Sequence, residues 1–161
     1  MFQFEAKGSE KGAGLAAAVR SVLEGETDVV SALANVSAVI AMYIEGVNWA
    51  GFYFLRGKEL VLGPFQGLPA CSRIGEGKGV CGRAVREAKP VIVGNVHEFP
   101  GHIACDSASR SEMVVPLFRG GGVFGVLDVD SPRFDRFSGP EADGLAEAGA
   151  VISGWLDSLR L

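Results

Sequence analysis

The sequence predicts an α+β fold in which a central antiparallel β-sheet is covered by helices. Apolar residues recur at helical spacing near both ends of the chain, while the apolar runs between them arrive in pairs joined by short Gly-containing turns. Regular strand–helix–strand alternation, the mark of a parallel sheet, is missing. With 161 residues, 48% hydrophobic and 21% charged, the chain has the size and composition of one domain, residues 1–161, with a full core.

Residues 1–13 are rich in glycine and charge and read as a loose N-terminal arm, followed by a short helix on Leu15, Val19 and Val22. Thr27 is the expected N-cap of a second helix, striped by Val29, Leu33, Val36, Ile40 and Tyr43 at spacings of four and three. At Asn48 the period changes. Asn48 to Leu55, the turn Arg56-Gly57-Lys58 and Glu59 to Phe65 read as a β-hairpin. Gln66 to Gly82 reads as a long Gly- and Pro-containing loop with two cysteines, followed by a short helix from Arg83 to Ala88 and a strand from Pro90 to Val93. A second irregular stretch, Gly94 to Ser109, carries both histidines and Cys105. Glu112 to Phe118, the turn Arg119-Gly120-Gly121-Gly122 and Val123 to Asp130 form another hairpin. Ser138 and Glu141 fit a capping box for a closing helix striped by Leu145, Ala148, Ile152, Trp155 and Leu159.

Fifteen basic against nineteen acidic residues leave a net charge of −4, so no basic field attracts nucleic acid. The N-terminus lacks the basic start and apolar run of a secretory signal. Val29 to Ile44, the longest apolar-rich stretch before the central region, contains Ser31, Asn35 and Ser37 and is too short for a membrane span. Three cysteines, an odd number, suit a reducing cytoplasm, either as reactive thiols or as small packed hydrophobes.

The two irregular stretches should hold the function. Gly77-Lys78-Gly79-Val80-Cys81-Gly82 matches the G-x-G-x-x-G pattern, but a polar loop precedes it where a dinucleotide site needs a buried strand. Cys71, Cys81, His97, His102 and Cys105 are types that bind zinc, yet only His102 and Cys105 are spaced as a ligand pair, so no metal site is assigned. Cys105 with His97 or His102 as base would make a Cys-His hydrolase, the third-ranked reading. Asp128 and Asp130 lie two apart on a strand and share a face. Whether Glu112 joins them depends on hairpin parity: an odd loop places it beside them, and a four-residue loop turns it away. Asp130, followed by Ser131-Pro132, is equally readable as a turn residue, and Glu112 as a solvated strand end. Converging acids would raise at least one pKa and leave a proton available. Trp49 and Tyr53, four apart, form either an aromatic wall to that site or ordinary core.

Taken together, "NWAGFY", "LGPFQGLPAC", "GKGVCG", "HIACDSASRSE", "VVPL" and "GVLDVDSP" resemble the free methionine-(R)-sulfoxide reductases, which are single GAF-type domains. The resemblance spans about Asn48 to Pro132 and extends loosely into both flanking helices. It implies a GAF-like sheet with the terminal helices packed on one face. It implies Cys105 as the nucleophile that becomes a sulfenic acid, Cys71 as the thiol that resolves it into a disulfide, and Cys81 as an auxiliary exchange partner. Glu112, Asp128 and Asp130 match the acids that bind substrate and activate the sulfoxide oxygen, and Trp49 and Tyr53 the aromatic pocket. Free methionine-(R)-sulfoxide is the implied substrate and thioredoxin the implied reductant, with no metal or organic cofactor, and a homodimer is compatible. The rival reading is a GAF-like sensor that binds a cyclic nucleotide or other small ligand without turnover.

Overall fold

Helix α1 (Lys11–Leu23) and helix α2 (Val29–Tyr43) lead into a hairpin of β1 (Trp49–Arg56) and β2 (Glu59–Gly67). The chain continues through β3 (Arg73–Gly75), α3 (Gly79–Glu87) and β4 (Val91–Val93) to a second hairpin, β5 (Ser111–Arg119) and β6 (Gly122–Ser131), and closes with α4 (Gly139–Ser158). These elements are seen in a computed structural model, which describes residues 11–103 and 105–160, with side chains from residue 14. The six strands form one sheet in the order β3-β2-β1-β6-β5-β4, every neighbouring pair antiparallel.

The expected α+β class holds, with α1, α2 and α4 gathered on one side of the sheet. Alternation along β1 sends Ala50, Phe52 and Phe54 to that side, where they join Leu33, Val36, Ile40, Leu145 and Ile152 in the larger core. Trp49 and Tyr53 face the other way, into a smaller core with Val80, Ala84, Val114 and Val126 beneath α3. No described helix is long and apolar enough to cross a membrane.

Several boundaries differ from the sequence reading for identifiable reasons. Helix α1 already includes residues 11–13, because its alanine-rich sequence favours helix strongly enough to absorb Gly12 and Gly14; the rest of the expected arm, residues 1–10, lies outside the described residues. Asp28, not Thr27, caps α2: its carboxylate accepts the Ser31 N–H at 2.8 Å. Ser138 occupies the N-cap of α4, but the reciprocal capping box does not form, since the Glu141 carboxylate is taken by Arg136. The stretch read as one loop from Gln66 to Gly82 contains β3, which is too short to show alternation, and the start of α3, disguised by glycines. Gly82 is required there, because any side chain would collide with the Gly77 backbone.

Both hairpin turns are two residues long, Gly57-Lys58 and Gly120-Gly121, the second with both residues at positive φ. A two-residue turn has the same parity as the four-residue turn read from sequence and would set Glu112 opposite Val129, facing the helices. The register shifts, however: Phe118 pairs Val123 while Leu117 pairs Gly125, which leaves Phe124 as one extra residue in β6. Below that bulge Glu112 is opposite Asp130. The bulge therefore reverses the face on which Glu112 lies.

The sheet at this point tolerates no added bulk, because a Cβ on Gly125 would overlap the Tyr53 carbonyl of the neighbouring strand. Gly125→Ala is expected to lower unfolding free energy by about 3 kcal/mol, the upper end of ordinary overpacking costs. Gly154 in α4 is exposed, with nothing near its absent Cβ. Gly154→Ala should raise stability by about 0.5–1 kcal/mol from helix propensity alone. Urea denaturation of the two variants checks both signs.

Candidate functional site

Three strands place one row of side chains across the sheet. Trp49 on β1 is opposite Asp130 on β6, and Asp130 is opposite Glu112 on β5. Directly opposed residues share a face, so the row Trp49–Asp130–Glu112 lies on the α3 side, and Asp128, two residues from Asp130, lies there too. The acids are not solvated strand ends: Glu112 and Asp128 are only 5% and 7% exposed. Gly51 makes room beside them, because a side chain there would strike Trp49 and Phe65, whose rings stack at 5.3 Å. Tyr53 stacks against Trp49 at 5.9 Å, so the aromatic pair belongs both to the core and to the wall of the site.

Helix α3 closes the site from above. Cys81, in its first turn, is buried, and its thiol donates to Asp128 Oδ2 at 3.4 Å. Asp128 Oδ1 is buried without a hydrogen-bond partner. The two irregular segments form the mouth. Tyr53 donates its hydroxyl to the Cys71 carbonyl at 2.9 Å and Trp49 donates Nε1 to the Leu68 carbonyl at 3.2 Å, which ties the Cys71 loop to the aromatic wall. Asn48 Nδ2 donates to Asp106 Oδ2 at 2.9 Å and Ser109 Oγ at 3.1 Å, which ties down the segment that carries Cys105. Cys71 and Cys105 are joined as a disulfide with Cα atoms 5.6 Å apart. Cys105 lines a cavity of about 40 Å³ together with Trp49, Tyr53, Cys81, Glu112, Asp128 and Asp130, and Cys71 packs against the adjoining smaller core. That volume suits water but falls far short of the roughly 300 Å³ at the lower end of ligand pockets.

Burial is the main cause of the site's electrostatics. It pushes the Glu112 carboxyl up to about 8, with the charge of Asp130 adding to the effect. Burial also raises Asp128, with Glu112 second, and raises Asp130, with Asp128 and Asp106 contributing. The Cys81 thiol is raised by burial and by Asp128, so it stays protonated and serves as a donor. Near neutral pH the cluster therefore holds protons that separate carboxylates in water would have released.

Of the eight site residues expected from the sequence, Trp49, Tyr53, Cys81, Cys105, Glu112, Asp128 and Asp130 line this cavity, while Cys71 does not line it and is joined to it through its disulfide with Cys105. Polar residues not singled out as part of it include Lys78, Asp106 and Ser109, which line the cavity, and Asn48, which bonds to the latter two. Asn48 directly precedes the Trp49 strand, and Asp106 and Ser109 lie within "HIACDSASRSE", so adjacency to the motifs was the available signal. His102, weighed in sequence as a metal ligand or hydrolase base, instead faces Glu112, Nε2 to Oε2, at 3.5 Å. His97 is not among the lining residues; its ring packs edge-on against Phe134. Cys81, Glu112 and Asp128 could bring their ligand atoms within 4.8 Å of one another, but the thiol proton already bridges Cys81 and Asp128.

Comparison with known proteins follows this geometry. A family model described as a GAF domain matches residues 24–154. The chain is 47% identical over 132 residues to the free methionine-R-sulfoxide reductase of Escherichia coli, covering 82% of this chain and 80% of that one. The X-ray structure of the free methionine-R-sulfoxide reductase of Neisseria meningitidis in complex with its substrate superposes with a TM-score of 0.91 at 42% identity, covering 97% of this chain and 96% of that one. The Staphylococcus aureus fRMsr in complex with substrate gives a TM-score of 0.86 at 41% identity, covering 95% and 99%.

Two outcomes follow from the site's chemistry. The oxidised protein should show no reactive thiol while folded, one (Cys81) after unfolding, and three after reduction, read by a chromogenic thiol titration. The second concerns pH. The folded state holds a proton on Glu112 that the unfolded chain releases near pH 4.5, so this stabilisation is complete below 4.5 and is lost as pH rises through about 8. Urea unfolding of the oxidised protein across that window should show stability falling with pH, and Glu112→Gln should flatten the slope.

Proposed function

The chain belongs to the GAF domain family and within it to the free methionine-R-sulfoxide reductases, a family of oxidoreductases, and on that premise we propose that it reduces free methionine-(R)-sulfoxide to methionine. One observation carries the reading: the sulfur of Cys105, bonded to Cys71, opens onto the same buried chamber as the three acids. Sulfoxide reduction needs a nucleophile for sulfur and a proton for oxygen, and this chamber offers both.

In the proposed cycle Cys105 attacks as the thiolate, its proton having gone to solvent. Its sulfur bonds to the sulfoxide sulfur while the oxygen takes a proton from Glu112. Collapse of this adduct transfers the hydroxyl to Cys105, leaving a sulfenic acid and releasing methionine, so sulfoxide sulfur is reduced by the two electrons that Cys105 loses. The Cys71 thiol then attacks the sulfenic sulfur; water leaves and the disulfide forms. An external dithiol, thioredoxin by resemblance, returns two electrons and reopens the site. The scheme requires no metal or organic cofactor. Asp128 and Asp130 supply hydrogen bonds for the substrate's polar groups, and Trp49 and Tyr53 contact its methyl end. Cys81, with its thiol raised and bonded to Asp128, is better suited to holding that carboxyl in place than to exchange in the closed state.

The small closed cavity implies that the disulfide form admits no substrate, so entry follows reduction. A chamber walled by buried acids and aromatic rings also suits a free amino acid better than a residue inside a chain. The sensor reading is weaker on physical grounds. A cyclic nucleotide would bring a phosphate to three buried acids, with Lys78 the one lysine or arginine among the described residues that line the cavity.

Incubation of the reduced protein with each methionine sulfoxide epimer should show turnover of the free R form and about a hundredfold or greater loss for a blocked peptide sulfoxide. Cys105→Ser should abolish turnover, while Cys71→Ser should complete one turnover and accumulate a sulfenic acid that a dione probe traps, as read by intact mass. Equal rates on free and blocked substrates would defeat the free-amino-acid specificity. Turnover in Cys105→Ser would defeat the assignment of the nucleophile.

A further inference from the structure

Glu112 gives up a proton in each proposed turnover and must recover one before the next. It lies at the floor of the chamber, 5% exposed, between β4 and β6, so direct access from water is poor. The one ring nitrogen beside it belongs to His102, with Nε2 3.5 Å from Glu112 Oε2. The His102 side chain is 14% exposed against 7% for that of Glu112, so the ring is the more solvent-accessible member of the pair. Its backbone is pinned by donation of its N–H to the Phe99 carbonyl at 3.2 Å, and it sits three residues before Cys105 on the same mouth segment.

We propose that His102 is a positioning residue that returns a proton from solvent to Glu112 after each turnover. The proton moves from water to the imidazole, then from Nε2 to the Glu112 carboxylate; the proton Glu112 gave to the sulfoxide oxygen leaves in the water released on disulfide formation. The proton that Cys105 lost to solvent balances the one taken up. Burial lowers the His102 pKa and raises that of Glu112, so the transfer from ring to carboxyl runs downhill. The other titratable groups lining the chamber are Asp128 and Asp130 from β6, Cys81 and Lys78 at the start of α3, Tyr53 from β1 and Asp106 from the mouth. Among the described residues of that set Lys78 is the one lysine or arginine. It is an exposed side chain at the cavity rim, so His102 remains the group set against Glu112.

The inference rests on the reductase reading, and two measurements separate its failure from the failure of that reading. The first needs no turnover. The protein has two histidines, and their ring signals can be followed by NMR titration of the reduced protein with and without Glu112→Gln. The His102 midpoint should move by about half a pH unit or more while that of His97 stays in place; an unmoved His102 overturns the pairing. The second is the pH profile of kcat at saturating sulfoxide and dithiol, the constant that contains the return of the proton. His102→Ala should lose about tenfold or more on the alkaline side, with the alkaline limb shifted to lower pH, and added imidazole should restore part of the loss. His102→Gln, which keeps the ring's bulk and one polar group, carries the same test if the alanine variant does not fold. Loss by one constant factor at every pH with no imidazole effect, or no loss, overturns the relay.

Discussion

Placing carboxyl groups in adjacent positions of a sheet and then burying them is unfavourable, and the rest of this molecule is arranged around that constraint. Two charges at this spacing, removed from water, repel strongly, and each also loses its hydration. The cluster resolves the conflict by keeping protons: Glu112, Asp128 and Asp130 all have raised pKa values, with burial as the first cause in each. A group that must hold a proton to stay buried is also one that can deliver it to a sulfoxide oxygen. The electrostatic strain and the proposed chemistry are thus two aspects of the same arrangement.

The backbone that holds this strain is rigid. The acids sit on central strands β5 and β6, which are flanked by β4 and β1 and backed by the larger core under α2 and α4. One extra residue, Phe124, sets the parity that brings Glu112 to Asp130. Glycines at 51 and 125 let Trp49, Phe65 and the neighbouring strand approach closely enough to seal the wall. The thiols occupy the opposite kind of structure. Cys71 and Cys105 ride on irregular segments held by a few side-chain hydrogen bonds from Tyr53, Trp49 and Asn48, which a local opening can break and remake. The acids thus sit on paired strands, and the disulfide on irregular segments.

Helix α3 links the two parts. Its first turn brings the buried Cys81 thiol against Asp128, and the Gly77–Gly82 contact allows the preceding loop to pack directly on the helix. Gly77 and Gly82 of the G-x-G-x-x-G pattern thus serve close backbone packing.

The sequence by itself determined the element types, the α+β class, the apolar stripes of α2 and α4 and the shared face of Asp128 and Asp130, because each depends on periodicity within a few residues. Its motifs, taken together, also carried the resemblance that named Cys71 and Cys105. It could not decide whether Glu112 joined the other acids, since hairpin parity turned on a bulge with no local signature. Nor could it place His102 against Glu112, recover the three residues of β3, or assign the carboxylate of Glu141 to Arg136 rather than to a capping box. Those outcomes were decided by tertiary structure, because each depends on groups distant in the chain that meet only when strands pair and loops fold back across them.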